Sequence, residues 1–246
     1  MKFTLLQWNI WYLENADAVV DVIRSLSPDI ACLQELSTSS GVGRTSDTGN
    51  KIKDDLSLYA HIGRAQTWKG RMIDSQGNGI FSKHPLLNCS AQFIREPHSP
   101  EIINYSQEGR VYLEASLILN NKELKVGTTH MSYSHRFEPS LERLEEDERL
   151  LKFLKNKKNF IFAADLNAHP RSHLINNLSE FLNNAGPELE ENTWTTKPFD
   201  YNGFAENDLR WRLDYVFTTS ELKIVSAEII QTDVSDHLPI LVEFEF

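Results

Sequence analysis

The chain has 246 residues, and its 40% apolar content is spread evenly enough for a sizeable core in one domain spanning residues 1–246. With 35 acidic residues against 25 basic, its formal charge of −10 excludes broad electrostatic adhesion to nucleic acid, though not a nucleic-acid substrate held through a divalent ion. No apolar run approaches the roughly 18 residues of a membrane span, no signal-peptide pattern opens the chain, and Cys32 and Cys89 make no disulfide framework, so a monomer in a reduced cytoplasm is expected.

Residues 2–10 read as a buried strand, and residues 16–26 as an amphipathic helix with Val19, Val20, Ile23 and Leu26 on one face. A second strand over residues 29–33 ends in Gln34-Glu35. Residues 37–50 and 96–107 read as polar loops, placed to carry recognition. Strand patterns return at residues 58–62, 79–82 and 86–94. Residues 111–119 and 123–130 pair around Asn120-Asn121, a hairpin turn signal. The strongest helix covers residues 139–156, with Leu141, Leu144, Leu151 and Leu154 as its apolar face and its charge run as a solvated face. A strand at residues 159–164 leads into Asp165-Leu166-Asn167, and a short helix follows at residues 174–182. After a loop through Trp194, strands at residues 212–218, 223–231 and 238–246 close the chain. The pattern predicts an α/β protein with two packed sheets flanked by helices.

Polar residues recur at the ends of the apolar strands: Asn9, Glu35, His130, Asp165 with Asn167, and Asp214, while Asp236-His237 precede the last one. Each has an ordinary reading alone, as a cap, a turn, a core histidine or, for Asp214, the counter-ion of Arg212. Together they fit one rim where sheets meet. Oxygen-rich ligands without cysteine favour Mg²⁺ or Mn²⁺, with Glu35 the first candidate ligand. A histidine fixed by a carboxylate can take a proton from water, and an ion can stabilise charge on a phosphate. The chemistry this set fits is phosphate-ester hydrolysis.

At Gln7-Trp8-Asn9-Ile10, Leu33-Gln34-Glu35, Glu108-Gly109-Arg110, Thr128-Thr129-His130-Met131, Ala164-Asp165-Leu166-Asn167, Trp211-Arg212-Leu213-Asp214-Tyr215 and Ser235-Asp236-His237, the chain resembles the endonuclease/exonuclease/phosphatase superfamily, relatives of deoxyribonuclease I. The resemblance implies a four-layered α/β sandwich of two mainly antiparallel sheets packed face to face. It implies a metal at Asn9 and Glu35, with Asp236 near it, and catalysis by Asp165, Asn167, His130 and His237, Asp214 being the partner of His237. Either Asp165 or the His237–Asp214 pair would activate the water. Arg110 and Trp211 match positions that touch DNA in apurinic endonucleases, whereas Thr128-Thr129-His130 resembles the branch of tyrosyl-DNA phosphodiesterases and sphingomyelinases. Trp194 and Trp211 are candidates for stacking on a base or leaving group. The implied substrate is nucleic acid or a blocked DNA end; an inositol phosphate, sphingomyelin or another small phosphoester is the alternative, and a silent binding module a third.

Overall fold

The computed structural model describes residues 1–40, 46–69, 72–101 and 107–245. In chain order the elements are β1 (Lys2–Asn9), α1 (Ala16–Leu26), β2 (Ile30–Ser39), β3 (Ser46–Asp47), α2 (Thr48–Asp55), β4 (Tyr59–Thr67), β5 (Ser75–Ser82) and β6 (Leu87–Arg95). They continue with β7 (Arg110–Leu119), β8 (Lys122–His130), α3 (Leu141–Leu154), β9 (Phe160–Asp165), α4 (His173–Leu178) and β10 (Asn183–Asn184). Last come β11 (Phe199–Tyr201), β12 (Phe204–Glu206), β13 (Asp214–Thr218), β14 (Lys223–Ile229) and β15 (Ile240–Glu245).

One sheet runs β14-β15-β1-β2-β5-β4 with β3 beside β2, and the other runs β10-β13-β9-β8-β7-β6. Each is antiparallel apart from one parallel pair near its centre, β1 with β2 and β8 with β9. Alternation along the strands sends one set of side chains between the sheets, including Leu5, Ile30, Ile80, Leu113, Val126, Ile161, Val216 and Val242. The outward set of the first sheet packs under α1 and α2 through Leu6, Trp8, Val20, Ile23, Leu33 and Ile52. That of the second packs under α3 and α4 through Tyr112, Phe160, Phe162, Leu150, Leu154 and Leu174. The result is the expected α/β sandwich: helices, sheet, sheet, helices. Each such fully buried side chain contributes roughly 1.5–3 kcal/mol.

Local signals behave as physics requires. Asn15 caps α1 by accepting the Asp17 N–H, and the chain leaves that helix through Ser27 at φ 45°. Asn120 and Asn121 take φ of 50° and 62°, the left-handed pair a two-residue hairpin needs. Three expectations change. The segment 37–50 is not all loop: β2 continues to Ser39, and β3 and α2 occupy Ser46 onward, with Asp47 capping α2 through the Asn50 N–H. Residues 41–45, and residues 102–106 of the second loop, lie outside the described residues. The charge run of α3 is not all solvated, since Arg143, Glu146 and Asp147 are buried while Leu141 is 80% exposed. Arg143 spends its guanidinium on the Asp147 carboxylate and on the Ser132 and Leu166 carbonyls, which is why it tolerates burial. Among the described residues, no helix is long and apolar enough to cross a membrane.

Candidate active site

The parallel pairs point the C-terminal ends of β1, β2, β8 and β9 toward one rim, and their antiparallel neighbours bring the starts of β7 and β13 to the same place. Register does the rest. Asp165 lies opposite His130 on one side and Asp214 on the other, while Asn9 lies opposite Gln34. Glu35 sits where the β2–β5 ladder slips between Leu33 and Leu36, at φ 62°. A bulge of this kind re-aims a side chain, and a left-handed non-glycine residue is held against a cost of order 1–3 kcal/mol. Here it turns Glu35 into the cleft.

The loop before β15 is tied down from three sides. Trp8 Nε1–H donates to the His237 carbonyl at 2.9 Å, Ser235 Oγ–H donates to the Asn9 carbonyl at 2.7 Å, and the Leu238 N–H donates to the Thr193 carbonyl at 2.8 Å. Opposite, Thr193 Oγ1 accepts the N–H groups of Leu213 and Asp214. These bonds set His237 Nδ1 2.8 Å from Asp214 Oδ2 and leave Nε2 3.7 Å from Asp165 Oδ2. Arg212 makes no claim on the Asp214 carboxylate; its guanidinium donates to the backbone carbonyls of Asp214, Glu188, Glu191 and Pro187.

Asp165 accepts the Asn167 N–H on Oδ1 and the Asn9 amide on Oδ2, both at 2.9 Å, so its Asx turn and its place in the cleft are one arrangement. Asn9 also donates to Glu35 Oε1 at 3.1 Å and joins the two carboxylates. Asn167 donates to His130 Nε2 at 3.0 Å and to the Met131 carbonyl. Arg110 enters the cleft with Nε on Ser132 Oγ at 3.3 Å and Nη2 3.4 Å from Glu108. Behind it, Glu146 accepts from Ser132 Oγ at 3.0 Å and pairs with Arg95 at 2.6 Å.

The two histidines are pushed apart electrostatically. Burial disfavours the His237 imidazolium, but the charges of Asp214, Asp165 and Asp236 and the Asp214 hydrogen bond outweigh it, holding the ring well above its usual range. Burial, with Arg110, His237 and Arg143 nearby, keeps His130 well below its own. The cleft thus favours the charged form of His237 and the neutral form of His130. Burial raises Asp165 to about 6 against the opposing pull of His237. Burial and the neighbouring Asp236 charge push Glu35 up to about 7.

Two oxygen clusters are candidates for a cation. Ligand atoms of Asp165, Asp214 and His237 lie within 4.8 Å of one another. That group is internally paired, since the imidazole lies between the carboxylates and Gln7 reaches Asp214 Oδ1 at 3.4 Å. The other cluster is short of positive charge. Asp236 Oδ1 is buried with no hydrogen-bond partner, Oδ2 holds Trp194 Nε1–H at 3.1 Å, and Glu35 bears the repulsion just described. Glu35 and Asp236, with Asn9 beside them, fit a hard divalent ion better.

The cleft, of about 300 Å³, thus gathers Asn9, Glu35, Arg110, His130, Asp165, Asn167, Asp236 and His237, with Asp214 immediately behind. Trp194 lines it but is only 4% exposed, and Trp211 does not line it; its Nε1–H donates to Glu206. The aromatic lining comes instead from Tyr12, Tyr133, Phe137, Phe199 and Tyr201, residues absent from the sequence reading. A signal was present. Asn202-Gly203, at φ 48° and 77°, is a strong hairpin turn between β11 and β12, and it delivers Phe199 and Tyr201 to the cleft.

The sequence profile of the Endonuclease/Exonuclease/phosphatase family matches residues 6–237. No curated protein matches the chain in sequence. Among solved structures it is similar to the endonuclease/exonuclease/phosphatase from Beutenbergia cavernae, at TM-score 0.76 and 19% identity over 99% of this chain and 71% of that one. It is also similar to D. rerio TDP2 complexed with single-strand DNA product, at TM-score 0.71 and 20% identity over 100% and 99% of the two chains. A third likeness is to the mannosyl-6-phosphatase Bt3783 of Bacteroides thetaiotaomicron, at TM-score 0.67 and 14% identity over 99% and 100%. At these identities the structures establish the fold.

Proposed function

We propose, from the premise that the chain belongs to the endonuclease/exonuclease/phosphatase family, that it is a divalent-metal-dependent phosphoesterase acting on nucleic acid or a DNA end. Membership makes it a phosphoester hydrolase; the metal and the substrate are the proposal. The observation that carries it is one cleft holding the His237–Asp214 pair, with Asp165 beside it, and the cation-poor Glu35 and Asp236.

In this reading Asp165 accepts a proton from the attacking water as the new P–O bond forms in line with the one that breaks. His237, fixed through Nδ1 on Asp214, turns its Nε2–H to a non-bridging phosphate oxygen. Asn167 and the neutral His130 hold the opposite side of the phosphate, and Arg110 offsets its charge. Glu35, Asp236 and Asn9 would hold Mg²⁺ or Mn²⁺, which would offset the charge that builds on the phosphate during displacement. The departing alkoxide, on the far side of the phosphorus, takes its proton from solvent, and Asp165 releases its own to solvent.

A small phosphoester is the second reading, favoured by a cleft at the small end of ligand pockets. The deciding experiment is Mg²⁺-dependent turnover across abasic duplex, single-stranded DNA, a 5′-tyrosyl oligonucleotide, RNA, sphingomyelin and an inositol polyphosphate, with His237→Ala as control. Cleavage of a nucleic acid, lost in the variant, is the expected result. Turnover confined to the lipid or inositol compounds moves the substrate to the second reading, and equal turnover by His237→Ala overturns the mechanism.

A further inference from the structure

The aromatic wall stands apart from the three large cores. Phe137, Trp194, Phe204 and Leu213, with Tyr133, Phe199 and Trp211 against them, form a separate cluster beside the two sheets. Its inner members are buried, and Tyr133, Phe199 and Tyr201 are half-buried with a side open to the cleft. The rings meet mostly edge to face: Tyr133 with Phe199 at 6.0 Å and 63°, Tyr133 with Tyr201 at 6.1 Å and 76°, Trp194 with Phe199 at 5.0 Å and 72°. Each such contact sets the edge of one ring on the face of its neighbour and so fixes the rings against one another, while Tyr133, Phe199 and Tyr201 each keep a side on the cleft.

The wall also lies within reach of the reacting phosphate. The centroid of Trp194 is 6.3 Å from that of His237, and Phe199 is the next ring outward. The wall is poor in polar atoms for a polyol. Phe137 and Phe199 offer none, and the Tyr133 hydroxyl already accepts the Arg136 N–H at 3.1 Å, which leaves the Tyr133 O–H and the Tyr201 hydroxyl to serve a polyol's several groups. A planar base loses nothing by resting on such a surface, and stacking tolerates any base because each has a π-face. The cleft's roughly 300 Å³ holds one such unit at the small end of ligand pockets.

We infer that Phe199, Tyr201 and Tyr133 form a stacking subsite for a nucleobase joined through its sugar to the reacting phosphate. The assignment rests on the phosphoesterase reading above and narrows its substrate to nucleotide phosphoesters. These residues set affinity, and the carboxylates and histidines carry the chemistry. The occupant is a base rather than a sugar alone.

Binding tests it without turnover. Thymidine 5′-monophosphate and deoxyribose 5-phosphate are titrated calorimetrically with Mg²⁺ present, in a His237→Ala background so that neither is consumed. The base should tighten binding about tenfold. Phe199→Leu and Tyr201→Leu should each shrink that gap severalfold, while Tyr201→Phe, which keeps the ring, should retain it and so separate stacking from general damage. Equal affinities for the two ligands, or a gap untouched by both leucine variants, overturns the inference. Hydrolysis of bis(4-nitrophenyl) phosphate by the same wall variants carrying native His237 reports separately on the catalytic residues. Failure of the stacking subsite thus stays distinguishable from failure of the phosphoesterase reading.

Discussion

The floor and the wall of the cleft are built by different means. The floor is made of strand ends. Asp165 and Asp214 face each other in one ladder, His130 stands beside Asp165 in the next, and the loop bearing His237 is bonded to β1 and to Thr193. The wall is made of a short hairpin and the segment after β8, held by ring contacts rather than by either large sheet. Sheet register fixes which of the floor's groups face one another, as proton transfer requires. The two meet at Trp194, whose Nε1–H holds Asp236, and at Thr196, which bonds the Ser235 and Asp236 carbonyls. Beyond those ties the rings of Tyr133, Phe199 and Tyr201 stand outside both ladders, where a change of shape leaves the floor's register intact.

Perturbing the floor should give the largest effects. Asp165→Asn removes the proposed proton acceptor while keeping the Asn167 N–H bond, and kcat measured by single turnover should fall roughly 10²–10⁴-fold. A loss below tenfold would assign the base elsewhere. Asp214→Asn should come next, lowering kcat and also lowering the His237 pKa in the metal-free protein, as read by imidazole proton shifts in NMR. The sign follows from the raised folded-state pKa. The stability that Asp214 lends through the imidazolium is present in full below the ordinary histidine value of 6.5 and fades as pH rises through the raised one. Asp214→Asn should therefore cost more in denaturant melts at pH 6 than at pH 9.

Between floor and wall lies the buried relay from Glu146 through Ser132 to Arg110. Glu146→Ala takes a carboxylate away from Arg95 and Ser132 and should lower stability by about 3–5 kcal/mol, seen as a shift in denaturant midpoint. Glu146→Gln keeps an acceptor for both but gives up the ion pair with Arg95, so it should cost less than the alanine change and leave KM within about threefold. A smaller change still is expected at Trp211, which is outside the cleft. Trp211→Phe should leave kcat unaltered and move KM less than threefold; a tenfold rise in KM would return it to the substrate surface.

Much of the floor was legible because its residues are polar where an apolar strand ends, and a charge there needs a partner. Asn9, Glu35, His130, Asp165, Asp214, Asp236 and His237 all stood out in this way, and the fold brings them to one rim. The twist of Glu35 into that rim did not show, since it depends on a slipped register between β2 and β5. Nor did the burial of Arg143, Glu146 and Asp147, because i,i+4 spacing of charges looks alike on a wet face and over a polar core. Trp194 and Trp211 drew attention by residue type, yet Trp194 is packed and Trp211 faces Glu206. Of the rings that do border the cleft, Phe199 and Tyr201 precede Asn202-Gly203, a turn signal flanked by strands of only three residues each. So short a hairpin has too little periodicity to read alone.

Glu35 and Asp236 are the proposed holders of the cation on which phosphoester hydrolysis by this floor depends. The most direct test is the rate of cleavage of one phosphodiester as a function of Mg²⁺, for the wild type and for Glu35→Gln. The wild type should be inactive in chelator and reach a plateau as Mg²⁺ rises, with the variant's curve displaced at least tenfold to higher concentration. Activity that persists in chelator, or two curves that superimpose, would contradict the account.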